Sequence, residues 1–205
     1  MTITLDSSGK RYNRDWVFRK LTYRFESGKA YALLGPNGSG KSTLLQVIAC
    51  SQSPSEGSVQ FSSDNINIEI EEVFRHITLC APYMQTIEEF TLAEQLQFHF
   101  SFKKAVQQLS IEQMIALLGM EQHAAKQIRY YSSGMKQRVK LCLALLTDAP
   151  VILLDEPATN LDEAGIAWYK QLVRDYLKER LLIISSNRVE EYEMCGEKIE
   201  LQNFK

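Results

Sequence analysis

An α/β protein with a mostly parallel sheet is predicted by three features of the 205-residue sequence. Strand-like apolar segments rich in Val, Ile and Tyr alternate with helical patterns, the arrangement of a sheet covered by helices. Several of those segments, 151–154 and 181–184 among them, are unbroken apolar runs, as strands buried on both faces require. With 45 % apolar and 23 % charged residues the chain can bury a real core, but its length holds one mid-sized domain, or at most a core with an inserted subdomain.

Taken in order, the apolar segments 3–5, 21–25, 30–34, 59–61, 77–80, 151–154 and 181–185 read as strands. Helical patterns occupy 41–50, 91–102, 111–118, 133–146 and 163–178. In the fourth of these, Val139, Cys142, Leu143 and Leu146 form an i, i+3, i+4, i+7 stripe that seats one face on a core. Residues 85–130 contain no convincing strand and are expected to form a helical subdomain inserted in a single domain spanning 1–205.

Composition excludes several classes. Lys and Arg number 23 against 25 Asp and Glu, a net charge of −2, which argues against the broad basic face of a nucleic-acid binder. The longest apolar runs fall far short of the ~20 residues that cross a bilayer, so the chain is not expected to span a membrane. Asp6, Ser7, Ser8 and Gly9 interrupt the region where a signal peptide needs an apolar core, and export is not expected. Cys50, Cys80, Cys142 and Cys195 show no ligand spacing and read as buried thiols of a reducing cytosol, and His76, His99 and His123 are too scattered for a zinc site.

After the strand-like run ending at Leu34 comes Gly35-Pro36-Asn37-Gly38-Ser39-Gly40-Lys41-Ser42-Thr43, followed by the apolar helix start Leu44-Leu45. This fits the G-x-x-x-x-G-K-[ST] phosphate loop in the strand-loop-helix setting that the pattern requires. Gly38 and Gly40 let the backbone turn its N–H groups inward, and the helix start adds about half a positive charge at the same point. Lys41 can reach the β- and γ-phosphates, and the Ser42 hydroxyl can ligate Mg²⁺. A second buried strand supplies the acidic half: Asp155 follows four apolar residues and can hold Mg²⁺ through water, which leaves Glu156 to orient or deprotonate the attacking water. Two adjacent carboxylates at a strand end make poor packing without a cation.

With these motifs in place, nearly the whole chain resembles the nucleotide-binding subunit of ABC transporters. Tyr131-Ser132-Ser133-Gly134-Met135-Lys136-Gln137-Arg138 looks like the family's LSGGQ signature and its basic helix, with Tyr131, Ser133 and Met135 replacing the usual Leu, Gly and Gln. The resemblance implies that Ser132 and Gly134 close over the γ-phosphate of ATP held by the opposite subunit. Ala158-Thr159-Asn160-Leu161-Asp162 matches the D-loop, and Asp162 is also an ordinary N-cap for the helix after it. Tyr12 precedes Lys41 by 41 − 12 = 29 residues, a spacing similar to that of the family's adenine-stacking aromatic, with Trp16 as second choice.

Two stretches depart from the family pattern. Where a Gln linking Mg²⁺ to the transmembrane partner is usual, the chain reads Cys80-Ala81-Pro82-Tyr83-Met84-Gln85, so Gln85 can serve only if the loop runs three residues longer. Where a His contacts the γ-phosphate, the chain has Asn187, which can donate a hydrogen bond but does not titrate near neutrality. The resemblance implies a P-loop NTPase core of the ABC ATPase type, with an N-terminal antiparallel β part and an inserted helical subdomain. It further implies ATP and Mg²⁺ as cofactors, catalysis by Glu156, Lys41 and Asn187, and a second copy of the chain as partner. A transmembrane permease would hold the protein at the inner face of the cell membrane. A soluble non-transport ATPase and a slow nucleotide switch are the competing expectations; no nucleic-acid partner is expected.

Overall fold

The structure, a computed structural model, describes residues 1–64 and 66–205. It divides into two compact units, Met1–Leu79 with Ala149–Glu156 and Lys178–Lys205, and Cys80–Asp148 with Pro157–Leu177.

In chain order the first unit holds β1 (Thr2–Tyr12), β2 (Asp15–Glu26), β3 (Ala30–Leu34), helix α1 (Lys41–Ile48), β4 (Glu56–Ser63) and β5 (Ile66–Ile68). It continues with β6 (Ile77–Cys80), which ends where the second unit begins, β7 (Val151–Asp155), β8 (Leu181–Ser185) and β9 (Glu197–Glu200). Two sheets result. The first is antiparallel in the order β2-β1-β4-β5, and the second runs β6-β7-β8-β3-β9, with β7-β8, β8-β3 and β3-β9 all parallel. Every residue of β7 and β8 is buried, as their unbroken apolar runs predict.

The core lies between the sheets and α1. Leu44, Leu45 and Ile48 of α1 join Leu33, Leu153 and Ile183 of the parallel sheet and Ile3, Phe25 and Phe61 of the antiparallel one in one buried cluster. Each such side chain contributes about 1.5–3 kcal/mol when fully buried, so α1 is held far more firmly by its apolar face than by propensity. Tyr31 packs edge-on against Phe25 at 5.0 Å, and its hydroxyl accepts the Glu26 N–H at 3.0 Å, so this buried phenol has a polar partner.

Most elements fall where the pattern puts them, and the differences have physical reasons. β1 and β2 run several residues beyond the predicted 3–5 and 21–25, because hairpin pairing continues to Tyr12 opposite Asp15 through residues too polar to signal a strand. β9 exposes Glu197, Lys198 and Glu200 and buries only Ile199, the pattern of a charged edge strand.

The second unit contains α2 (Leu92–Phe102), α3 (Ile111–Leu118), α4 (Ser133–Leu145) and α5 (Glu163–Leu177). Thr91 with Glu94 and Ser110 with Gln113 form capping boxes at α2 and α3, each closing two otherwise open N–H groups. Of the expected stripe, Val139 and Cys142 in α4 and Leu146 just past its end are buried while Leu143 is only half-buried; Leu141, Ala144 and Leu145 are buried as well, so beyond Lys140 the helix is covered on more than one side. Asp162 Oδ1 accepts the Gly165 N–H at 2.7 Å, capping α5 as anticipated.

Candidate nucleotide site

The first unit places its chemistry at the C-terminal ends of β3, β7 and β8. An open groove of about 280 Å³ is lined by Val17, Asn37, Gly38, Gly40, Lys41, Ser42, Thr43 and Glu156. Gly40, with φ +102, precedes α1, and no side chain caps the helix start. Its glycine identity is needed twice over, since that φ is unfavourable for other residues and a Cβ would stand 2.2 Å from Val17 Cγ1.

Lys41 is 6 % exposed and arches back over the loop, its Nζ donating to Gly35 O at 2.6 Å and Pro36 O at 3.3 Å. Burial pushes its pKa below that of an ordinary lysine, against the pull of the Glu156 and Asp155 carboxylates. Its Nζ is thus held among carbonyls and short of solvent, where phosphate oxygens could replace them. Asp155 is 3 % exposed at the end of β7, in register with Ser185 of β8. Glu156 follows with φ +45, a conformation that costs about 1–3 kcal/mol outside glycine, and its N–H is anchored on Ser185 O at 2.8 Å. That kink turns a half-buried carboxylate into the groove. Asn187 donates its Nδ2–H to Asn37 Oδ1 at 2.8 Å, joining the end of β8 to the glycine loop.

The residues fit a magnesium nucleotide on observations independent of the motif. Among the described residues, the Ser39 and Ser185 hydroxyls are buried without a hydrogen-bond partner, the first inside the glycine loop and the second in register with Asp155. Buried polar groups are ordinarily paired, and such orphans mark places where a ligand or its water shell completes the bonding. Ser42 and Asp155 offer the hard oxygens that Mg²⁺ takes.

The remaining predicted residues lie elsewhere. Tyr12, 48 % exposed, does not line the groove; Val17, on the following strand, does, and sequence reasoning missed it because an isolated valine in a strand carries no chemical signal. In the second unit Ser132 and Gly134 line their own groove of about 320 Å³ with Met135, Arg138, Asn160 and Asp162. Ser132 Oγ caps α4 by accepting the Met135 N–H at 3.2 Å. Gly134 allows close approach: a Cβ there would meet Asn160 O at 2.9 Å. Gln85 is exposed and lines a different groove, with Lys136, Gln137 and Lys140. Buried Gln137, to which the sequence assigns no separate role, donates to Pro157 O at 2.7 Å and so ties α4 to the segment after Glu156.

Glycine loop, uncapped helix, buried lysine and strand-end carboxylates, with a serine-capped signature helix in the second unit, define a P-loop nucleotide-binding domain of the ABC ATPase class. The ABC transporter family model matches residues 18–159, and the chain belongs to that family. Among its relatives, the uncharacterized ABC transporter ATP-binding protein YcbN of Bacillus subtilis is 29 % identical over 203 residues, covering 97 % of this chain; the chain spans 66 % of that relative's length. The cytochrome c biogenesis ATP-binding export protein CcmA of Agrobacterium fabrum is 29 % identical over 208 residues, covering 96 % of both chains. A dimeric structure of the ATP-binding cassette MJ0796, in a post-hydrolysis state bound to ADP and Pi, shares the fold at a TM-score of 0.84 and 23 % identity, covering 97 % of this chain and 94 % of that one. Among the described residues no helix is long and apolar enough to cross a membrane.

Proposed function

We propose that this chain works as a single ATPase domain that pairs head to tail with a second copy and drives a separate transmembrane permease from the cytoplasmic face. The observation that carries this reading is one groove holding the open amides of α1, the desolvated Lys41 and the Glu156 carboxylate. ATP would lie with its phosphates on the glycine loop, Gly35 to Thr43, and its adenine against Tyr12. Lys41 would release its carbonyls for the β- and γ-phosphate oxygens. Ser42 and Asp155 would hold Mg²⁺, which when bound neutralises phosphate charge. Glu156 would accept a proton from the attacking water, and Asn187 would offer its amide to the γ-phosphate from a position fixed by Asn37. Ser132 and Gly134 would face the ATP of the partner subunit. Similarity to CcmA, named as an export protein, and to the dimeric cassette supports the transport and pairing parts of the reading.

A slow nucleotide switch is the second reading. It draws on Asn187, a neutral amide already engaged by Asn37. Phosphate release by the purified chain separates the two. Turnover is expected, and Glu156→Gln should lower it by at least ~10²-fold with ATP binding retained, as loss of a general base does. Unchanged turnover in that variant removes Glu156 from the mechanism. Co-purification from membranes with a polytopic protein tests the permease.

A further inference from the structure

At the tip of the β1-β2 hairpin an exposed ring is held in place by contacts that the phosphate chemistry does not use. The Tyr12 hydroxyl donates to Gln52 Oε1 at 2.6 Å, and Gln52 Nε2 donates in turn to Gln46 Oε1 at 2.6 Å. Gln46 belongs to α1, so the chain of bonds ends on the helix that begins at Lys41, about 7.5 Å along its axis from that residue. Lys10 Nζ stands 5.5 Å from the centroid of the Tyr12 ring and is itself fixed by donating to Ser53 O at 2.7 Å. An aromatic side chain with 48 % of its surface exposed would ordinarily exchange among its staggered χ1 rotamers. Here the hydroxyl is tied to α1 and a cation lies over the ring, while much of the ring surface stays open to a planar partner.

We infer that Gln52 and Gln46 are positioning residues that lock the Tyr12 ring to the phosphate-loop helix, and thereby set the preference of the site for a nucleotide with a planar base over a bare polyphosphate. The inference rests on the reading of Tyr12 as the residue that stacks on adenine. Its physical basis is preorganisation: a ring already ordered loses little freedom when a base stacks on it, so more of the stacking appears as affinity. Both glutamines lie outside every recognised motif, and only the folded geometry brings them to Tyr12.

The test measures dissociation constants of the purified full chain for ATP and for inorganic tripolyphosphate, each with Mg²⁺, by titration calorimetry. The ratio of the two isolates the contribution of the nucleoside. Tyr12→Ala is expected to weaken ATP about tenfold and to leave tripolyphosphate unchanged. Gln52→Leu and Tyr12→Phe should each weaken ATP about threefold with tripolyphosphate unchanged, and their combination should be no worse than either alone, because both break the same bond. Gln52→Glu keeps an acceptor for the hydroxyl and should restore the ATP preference. If Gln52→Leu does not fold, Tyr12→Phe carries the same prediction. If Tyr12→Ala lowers the ratio while Gln52→Leu and Tyr12→Phe keep it at the wild-type value, the positioning role is overturned and stacking stands. A wild-type ratio in Tyr12→Ala overturns the stacking reading and the inference with it.

Discussion

Helices α1 and α4 both have a glycine and exposed serines in or beside the first turn, yet their ends are finished differently. At α1 the residue before the helix is Gly40, in a left-handed conformation and without a side chain to offer, so the first-turn amides have no side-chain cap. At α4 the equivalent place is taken by Ser132 in an extended conformation, and its hydroxyl already accepts the Met135 N–H. The first end is open toward an anion, as the proposed nucleotide site within one subunit needs. The second is complete on its own and would have to share its serine to meet a phosphate, which would suit the proposed role of a segment that meets its ligand only when two subunits close.

The largest effect that separates these two ends is a methyl group on each glycine. Gly40→Ala forces a β-carbon to within 2.2 Å of Val17 Cγ1 at φ +102, and is expected to cost about 2–4 kcal/mol from strain and overpacking together. ATP binding should be lost, because the loop shifts. Gly134→Ala meets Asn160 O at 2.9 Å in ordinary helical backbone, and alanine gains up to ~1 kcal/mol of helix propensity in return. Its expected net cost is about 1 kcal/mol or less, with ATP binding by the isolated subunit intact. Thermal unfolding and a nucleotide titration on both variants decide the matter; equal damage at the two sites would erase the distinction drawn between them.

That distinction was only half legible in the sequence. The glycine loop, the Asp155-Glu156 pair and the signature segment announce themselves because their chemistry depends on residue types at fixed short spacings. The parallel core was legible for a related reason: β7 and β8 are buried on both faces and carry nothing polar before their last residue. What escaped depends on contacts across long stretches of chain. Val17 against Gly40, Gln52 against Tyr12 and Asn187 against Asn37 join residues separated by 23, 40 and 150 positions, and no local pattern encodes them. The strands β5 and β9 escaped because edge strands keep too few buried residues for an apolar period to appear.

Removing the cap itself is a gentler probe. Ser132→Ala leaves the Met135 N–H without its partner and should lower stability by about 1 kcal/mol, the usual value of an N-cap. Turnover at saturating ATP should fall while the dissociation constant for ATP stays put, since the phosphates lie on the glycine loop of the other subunit in the proposed pair. A change in ATP affinity measured at subunit concentrations too low for pairing would place Ser132 at its own subunit's nucleotide and contradict the head-to-tail arrangement.

The smallest effects come from protons, and they act at opposite ends of the pH scale on the two helices. Thr147 follows α4; its hydroxyl donates to Leu143 O at 2.6 Å and therefore accepts from His99 Nε2 at 2.8 Å, so the imidazole carries a proton on Nε2. Burial, with Lys103 assisting, holds the His99 pKa below its ordinary value of 6.5. Between the folded pKa and 6.5 the unfolded chain binds more protons than the folded one, so stability falls as pH drops through that window and levels off below the folded pKa. At α1 the lowered pKa of Lys41 works from the alkaline side: its ammonium is lost at a pH below the ordinary 10.5, and affinity for ATP should decline from there upward. His99→Gln keeps an N–H donor for Thr147 without a titrating group. Denaturant unfolding from pH 7 to 5 should then show a shallower acid slope in this variant than in the wild type. An identical slope would mean that the acid sensitivity arises elsewhere in the chain.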